Sequence, residues 1–331
     1  MKPPSSTSRR RALATGLALL AGSPLALAEK PEKPASQTAS AALSDTPQLA
    51  AKSVKRGIAY DLANSPDLKA LSPGVSWWYD WGLKPNPGAP AAYRKKFDMD
   101  FYSMLWNDVY DHNTVVAWLK AHPKIKFLLV LNEPNLVEQS NKTPQQAAAF
   151  WPGYERVAAE TGVKIVGPQI TWGTMSPYND PVAWLDAFYA AYRSANGGRD
   201  PRIDYLGFHW YDYGLSGQLD RLTKYGKPFW VTEFANWHSQ ADGAQIDTLE
   251  KQKAQMTDMV SVCEQRTDVF RYAWFTGRWN PDPHFTSLLA SPGTGQLTEL
   301  GRHYLSLPFT KARPLAVEAS QVETAPKSVG D

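Results

Sequence analysis

Phe127-Leu128-Leu129-Val130-Leu131-Asn132-Glu133-Pro134-Asn135 is the stretch on which the fold turns. Its apolar run has no polar break, as in a strand buried on both faces, and it ends abruptly in an amide, a carboxylate and a proline. Phe229-Trp230-Val231-Thr232-Glu233-Phe234 has the same form, again with a glutamate at the end. These two runs, taken as strands over 126–132 and 229–233, have six companions at 57–60, 74–78, 100–105, 164–168, 205–210 and 272–276. Helical text lies between many of them. Thr143-Pro144 supplies an N-cap and a proline at the first helical position; Ala147, Phe150, Tyr154, Val157 and Ala158 mark an apolar face, and Gly162 can close the helix. Asp180-Pro181 opens another, with Trp184, Phe188 and Tyr192 on one side, and 248–264 forms a third with Met256, Val260 and Cys263. Such alternation implies a parallel sheet, and eight strands in about 250 residues favour a single α/β domain closed as a (β/α)8 TIM-type barrel over a doubly wound sheet. The early part is less regular: the helix after the first strand is weak, and the Pro-rich stretch 84–90 reads as a loop.

The barrel is expected over 55–310 of the 331 residues. Ser8-Arg9-Arg10-Arg11, the apolar run 12–20 and Ala26-Leu27-Ala28 read as a secretory signal peptide of twin-arginine type over 1–28, so the protein is expected to be exported, to the periplasm or beyond. Residues 29–54 and 311–331 are expected to be a disordered leader and tail. The formal charge is +3, but residues 1–28 hold four cations and no acid, so the remainder carries −1 and has no footprint for nucleic acid. No other stretch suits a membrane, and a monomer is expected. Cys263, the sole cysteine, excludes an intramolecular disulfide and reads as a buried small hydrophobe. No H-E-x-x-H spacing appears among the six histidines and no G-x-S-x-G elbow is present, so neither a metal, a cofactor nor a serine nucleophile is expected.

In such a barrel the C-terminal ends of all strands meet at one mouth. The residues there are Tyr60 and Asp61; Trp77, Trp78, Tyr79, Asp80 and Trp81; Trp106; Asn132 and Glu133; Gln169 and Trp172; His209, Trp210 and Tyr211; Glu233; and Trp274. Core filling alone does not gather aromatics and carboxylates at one end of independent segments. Glycoside hydrolysis needs two carboxyl groups, one protonated for the leaving oxygen and one ionised, and proximity drives their pKa values apart. Glu133 and Glu233 fit those roles. Trp77, Trp78, Trp81, Trp106, Trp172 and Trp237 are candidate sugar platforms, about half expected to face a cleft and the rest to pack inside.

These residues resemble the clan A retaining glycosidases. The resemblance implies Glu133 as general acid/base, Asn132 on the sugar 2-hydroxyl, and Glu233 as nucleophile. It also implies Tyr211 of His209-Trp210-Tyr211 as hydrogen-bonded to that nucleophile, and Trp274 as the floor of the cleavage subsite beside a non-proline cis peptide. More narrowly, Arg56-Gly57-Ile58-Ala59-Tyr60, Val75-Ser76-Trp77-Trp78-Tyr79-Asp80-Trp81, Asn132-Glu133-Pro134, Gly167-Pro168-Gln169 and Trp230-Val231-Thr232-Glu233-Phe234 are together similar to glycoside hydrolase family 128, barrel endo-β-1,3-glucanases. That implies a β-1,3-glucan partner and no cofactor. The chain departs from the expected pattern at Asp61 and Asp80, where Asn is expected, and at Asn135, where Asp is common. Arg56 reads equally as a support for Glu233 or as an ordinary ion pair. Rival readings are a barrel glycosidase acting on β-1,4-glucan or mannan, which shares the carboxylates, and a non-catalytic glucan-binding barrel, which would be expected to have lost one of them.

Overall fold

The computed structural model describes residues 52–310. The expected signal peptide, most of the leader and the tail lie outside them. The leader's last residues are a correction: Lys52 donates to the carbonyls of Ser72 and Val75, both at 3.1 Å, and Ser53 is buried, so ordered structure begins before residue 55.

Nine parallel strands form one sheet: β1 (Arg56–Ala59), β2 (Trp77–Tyr79), β3 (Asp100–Phe101), β4 (Ser103–Leu105), β5 (Phe127–Val130), β6 (Lys164–Ile170), β7 (Tyr205–Trp210), β8 (Phe229–Phe234) and β9 (Val269–Trp274). Their order is β3-β2-β1-β9-β8-β7-β6-β5-β4. The two ends of that order are halves of one chain segment, broken at Tyr102, with β3 on β2 and β4 on β5. Counted so, the sheet closes as the eight-stranded barrel read from the sequence.

Helices alternate with the strands: α1 (Ser65–Leu71), α2 (Tyr93–Phe97), α3 (His112–Ala121), α4 (Pro144–Thr161), α5 (Pro181–Ala195), α6 (Leu215–Leu222), α7 (Leu249–Gln265) and α8 (Glu299–Ser306). The capping signals act as expected. Thr143 and Gln146 form a reciprocal capping box at α4, Gly162 ends that helix with φ 76°, and Asp180 and Thr248 cap α5 and α7. Cys263 is fully buried in α7, where burial pushes its thiol pKa up. No helix among the described residues is long and apolar enough to cross a membrane.

The core has two layers. The larger lies between sheet and helices; the smaller, including Trp77, Tyr79, Tyr102, Leu129, Val166, Tyr205, Trp230 and Ala273, fills the barrel. Strand residues alternate between the two. In β8, Phe229 and Val231 face the helices and Trp230 faces in. Continued alternation would send Glu233 outward. The register of β8 against β7 instead shifts after Phe208↔Val231 to His209↔Glu233, one extra residue on β8, and Phe234 takes the outward place. This bulge delivers Glu233 to the barrel mouth, as bulges beside active sites do. A second shift, between Val166 and Gln169 of β6, turns Gln169 inward in the same way.

Arg56 supports the lower end rather than Glu233. It donates to Tyr272 Oη at 2.9 Å, to the carbonyls of Tyr304 and Leu307 at 2.7 and 2.9 Å, and lies 3.9 Å from Glu264.

Candidate active site

Glu133 follows β5 and Glu233 lies on β8, both almost fully buried, with His209 of β7 between them. His209 Nδ1 is 2.8 Å from Glu133 Oε1 and 3.6 Å from Glu233 Oε2. One oxygen of each glutamate and the imidazole nitrogen all lie within 4.8 Å of one another. That is the close spacing of a retaining pair, about 5–5.5 Å between carboxyl groups, and too tight to leave room for the water of an inverting one.

The two carboxylates meet different surroundings. Glu233 Oε1 accepts from Tyr79 Oη and Trp81 Nε1, both at 2.7 Å, and Oε2 accepts from Tyr211 Oη. Burial, then the charge of Glu233, pushes both tyrosine hydroxyls well above their usual range, so they remain donors. Three donors aimed at one group fix the direction of both its oxygens. Glu133 is raised above the usual carboxylate range, by burial first and further by the Glu233 charge, against the opposing pull of His209. Burial would discharge His209, but Glu233 and Glu133 outweigh it and raise its pKa.

Backbone strain concentrates here. Trp81, Leu131 and Glu133 have φ of 61°, 58° and 41°, a region costly for residues with side chains and found at functional sites. The turn at Leu131 brings Asn132 and Glu133 over the mouth, and Asn132 bridges Gln169. Asn132 Nδ2 donates to Gln139 at 3.3 Å, while its Oδ1 and His209 Nε2 are buried without a partner among the described residues.

Glu133, His209 and Glu233 are also the one described trio whose ligand atoms gather closely enough to hold an ion. Tyr79, Trp81 and Tyr211 already fill the oxygens of Glu233, and His209 Nδ1 is turned to Glu133. The donor set is arranged for proton handling.

Of the remaining expected sugar contacts, Trp81, Trp106, Tyr60, Tyr211 and Trp237 are partly exposed, and Trp172 is 51% exposed. Trp237 stacks on Tyr211 at 4.3 Å, and Tyr60 lies against Gly277 so closely that a Cβ there would meet its ring at 2.2 Å. Four expectations are corrected. Trp77 is buried inside the barrel below Tyr79, and Trp78 points at the helices, as alternation along β2 requires. Gln169 is a buried strut, donating to Val166 O at 2.6 Å and accepting from Thr232 Oγ1. Trp274 is fully buried on the outer face of β9, its indole donating to Thr286 O at 2.8 Å. The next residue, Phe275, turns inward and meets Trp81, Tyr211 and Trp237 with ring centroids 6.0, 5.8 and 5.6 Å away. Phe275, not its neighbour Trp274, is thus the inward aromatic at this end of β9; the non-proline cis peptide lies after it, at Phe275-Thr276. The direct bonds of Tyr79 and Trp81 to Glu233 were also missed: both residues were read as sugar contacts.

Asp80, between those two donors, is pushed up to about 7 by burial and by the charge of Asp61. Asp61 accepts from Asn86 Nδ2 at 3.0 Å, and Asp80 from Gly82 N at 3.1 Å.

A parallel barrel whose mouth holds a raised glutamate and a second glutamate fed by three donors defines a glycoside hydrolase. Comparison with known proteins narrows the class. Residues 57–304 match the family model described as glycosyl hydrolase catalytic core. An endo-β-1,3-glucanase of family GH128, subgroup II, from Pseudomonas viridiflava is 63% identical over 78% of this chain and 100% of its own, with a TM-score of 0.77. Another of subgroup II, from Sorangium cellulosum, is 33% identical over 77% of this chain and 99% of its own, with a TM-score of 0.62. The chain belongs to glycoside hydrolase family 128. It also resembles alkali-sensitive linkage protein 1 of Schizosaccharomyces pombe, at 27% identity over 265 residues, 76% of this chain and 44% of that protein. The chain thus spans under half the length of this curated relative.

Proposed function

We propose that the protein is an endo-β-1,3-glucanase acting by retaining double displacement. The observation that carries the mechanism is the pair of buried glutamates with oxygens within 4.8 Å and opposite surroundings. The substrate rests on the 63% identical relative, itself described as an endo-β-1,3-glucanase.

Glu133 gives its proton to the glycosidic oxygen as Glu233 attacks the anomeric carbon. The glycosidic C–O bond breaks, the leaving chain departs with the proton, and the sugar is held as an ester of Glu233. Ionised Glu133 then takes a proton from water, whose oxygen attacks the same carbon and releases Glu233. Two inversions give retention. His209 holds Glu133 in place and steadies its charge between the steps, while Tyr79, Trp81 and Tyr211 keep the Glu233 oxygens aimed.

The test is reducing-sugar release from β-1,3-glucan, β-1,4-glucan and mannan, with the anomer of the first product read by NMR. The expected result is cleavage of the β-1,3 polymer to internal fragments with the β-anomer first, and a loss of about 10⁴-fold or more in Glu233→Gln. An α-anomer first would sink double displacement; cleavage of the other polymers alone would sink the substrate.

A further inference from the structure

Beside the catalytic pair, between the ends of β6 and β7 and helix α6, lies an open pocket lined by Thr171, Trp172, Trp210, Tyr211, Asp212 and Gln218. Its outer wall is the Trp172 ring, and an exposed indole on a loop is free to take many orientations. Here it is not left free. The Arg221 guanidinium, from α6, lies over the Trp172 ring with Cζ 5.6 Å from its centroid. The same guanidinium pairs with Asp180, the N-cap of α5, and donates to Gln218 Oε1 at 2.9 Å. One planar cation therefore joins the aromatic wall, a rigid helix terminus and a polar wall of the pocket. Because Arg221 occupies the amide oxygen of Gln218, that side chain has its NH₂ group left to donate.

The opposite wall is fixed as well. Asp212 Oδ1 accepts from its neighbour's amide, Tyr213 N, at 2.8 Å and lies 3.1 Å from His238 Nδ1. This leaves Oδ2 as an acceptor. The loop carrying Trp172 is tied to the acid/base segment: buried Asn135 donates through Nδ2 to the carbonyls of Thr171, Tyr178 and Asn179 at 2.7, 3.3 and 3.2 Å. An aspartate at 135 would have no proton to offer three carbonyls. Gly173 is obligatory beside it, since a Cβ would lie 2.0 Å from Asn135 O.

We propose that this pocket is a sugar subsite in which Trp172 stacks on a pyranose face, Asp212 accepts from one hydroxyl and Gln218 donates to another, with Arg221 as the positioning residue that sets the Trp172 plane and the Gln218 amide. The proposal rests on the glycan reading above. Arg221 need not touch the substrate: it stabilises one arrangement of the groups that do, so its contribution is realised only by chains long enough to reach the pocket.

The experiment measures KM and kcat on β-1,3-gluco-oligosaccharides of increasing length for the wild type, Trp172→Ala, Arg221→Ala, Arg221→Lys and the Trp172→Ala/Arg221→Ala pair, with thermal melts throughout. Arg221→Ala is expected to raise KM on chains that fill the pocket by about two- to fivefold, an effect that grows with length and falls on KM rather than kcat. Trp172→Ala is expected to raise it further, and the pair to exceed Trp172→Ala only by what Arg221 contributes through Gln218, well short of additive. Arg221→Lys keeps the charge facing Asp180 but loses the planar fork, so it should restore the melting temperature and not KM. Recovery of KM by lysine, additive loss in the pair, or an effect equal at all lengths would overturn the proposal. If the wild type spares β-1,3 chains, the substrate reading fails, and the same comparison on the β-glycan it does cleave still decides the role of Arg221.

Discussion

The two ends of the barrel interior are lined with the same kinds of residue and do opposite things. At the lower end, Trp230 packs against Phe127 and Tyr102 with centroids 4.9 and 5.3 Å away, and Arg271 lies over Phe270, Tyr102 and Trp230 at 5.3, 5.4 and 5.4 Å. The Trp230 indole nitrogen finds no partner there. At the upper end, Tyr79, Trp81 and Tyr211 bring their polar edges onto Glu233. A cation closes one aromatic box; anions occupy the other. Aromatic content does not distinguish plug from site; the charge that the ring edges meet does.

The contrast can be broken from either side. Trp230→Ala is the largest change: it is expected to cost about 3–5 kcal/mol in urea unfolding, while activity per folded molecule holds. Lost turnover at unchanged stability would put the lower box in the chemistry. Tyr211→Phe should do the reverse, lowering kcat/KM by roughly 10- to 150-fold, the worth of a hydrogen bond to a charged group, with the melting temperature held within a few degrees. A large fall in melting temperature with little loss of rate would make the upper aromatics structural too. Asp80→Asn is the smallest. The folded Asp80 carboxyl is raised from 3.8 to about 7, so the stability it contributes is present below its unfolded pKa and is lost as pH rises through about 7. The asparagine variant should therefore gain steadily on the wild type in melting temperature as the pH is raised from 4 to 8. A gap that does not change with pH would mean that Asp80 titrates alike folded and unfolded.

What the sequence made legible followed from local physics. Thr143-Pro144 and Asp180-Pro181 mark helix starts because capping is settled within four residues. Glu133 and Glu233 stand out because a carboxylate ending a buried apolar run is costly without a use. The misreadings came from facing, which depends on neighbouring strands. Trp77, Trp78 and Tyr79 are consecutive aromatics; the pleat turns Trp78 away, and only depth along the barrel leaves Tyr79, not Trp77, on the nucleophile. Trp274 and Phe275 are told apart only once the register shifts of β9 against β8 are known. Arg221 is 49 positions from Trp172 and carries no local signal at all.

The extra residue in β8 makes the facing of Glu233 depend on how its strand pairs as well as on which residues it holds. With the bulge straightened into a regular pleat and no residue lost, Thr232 would take the inward place and Glu233 would turn to the helices. Inactivation would then need no substitution at Glu233: changes elsewhere in β7 or β8 that favour the straight pairing would leave every named catalytic group in the text of the protein and none of the reaction in its mouth. An inventory of retained residues would score such a descendant as intact.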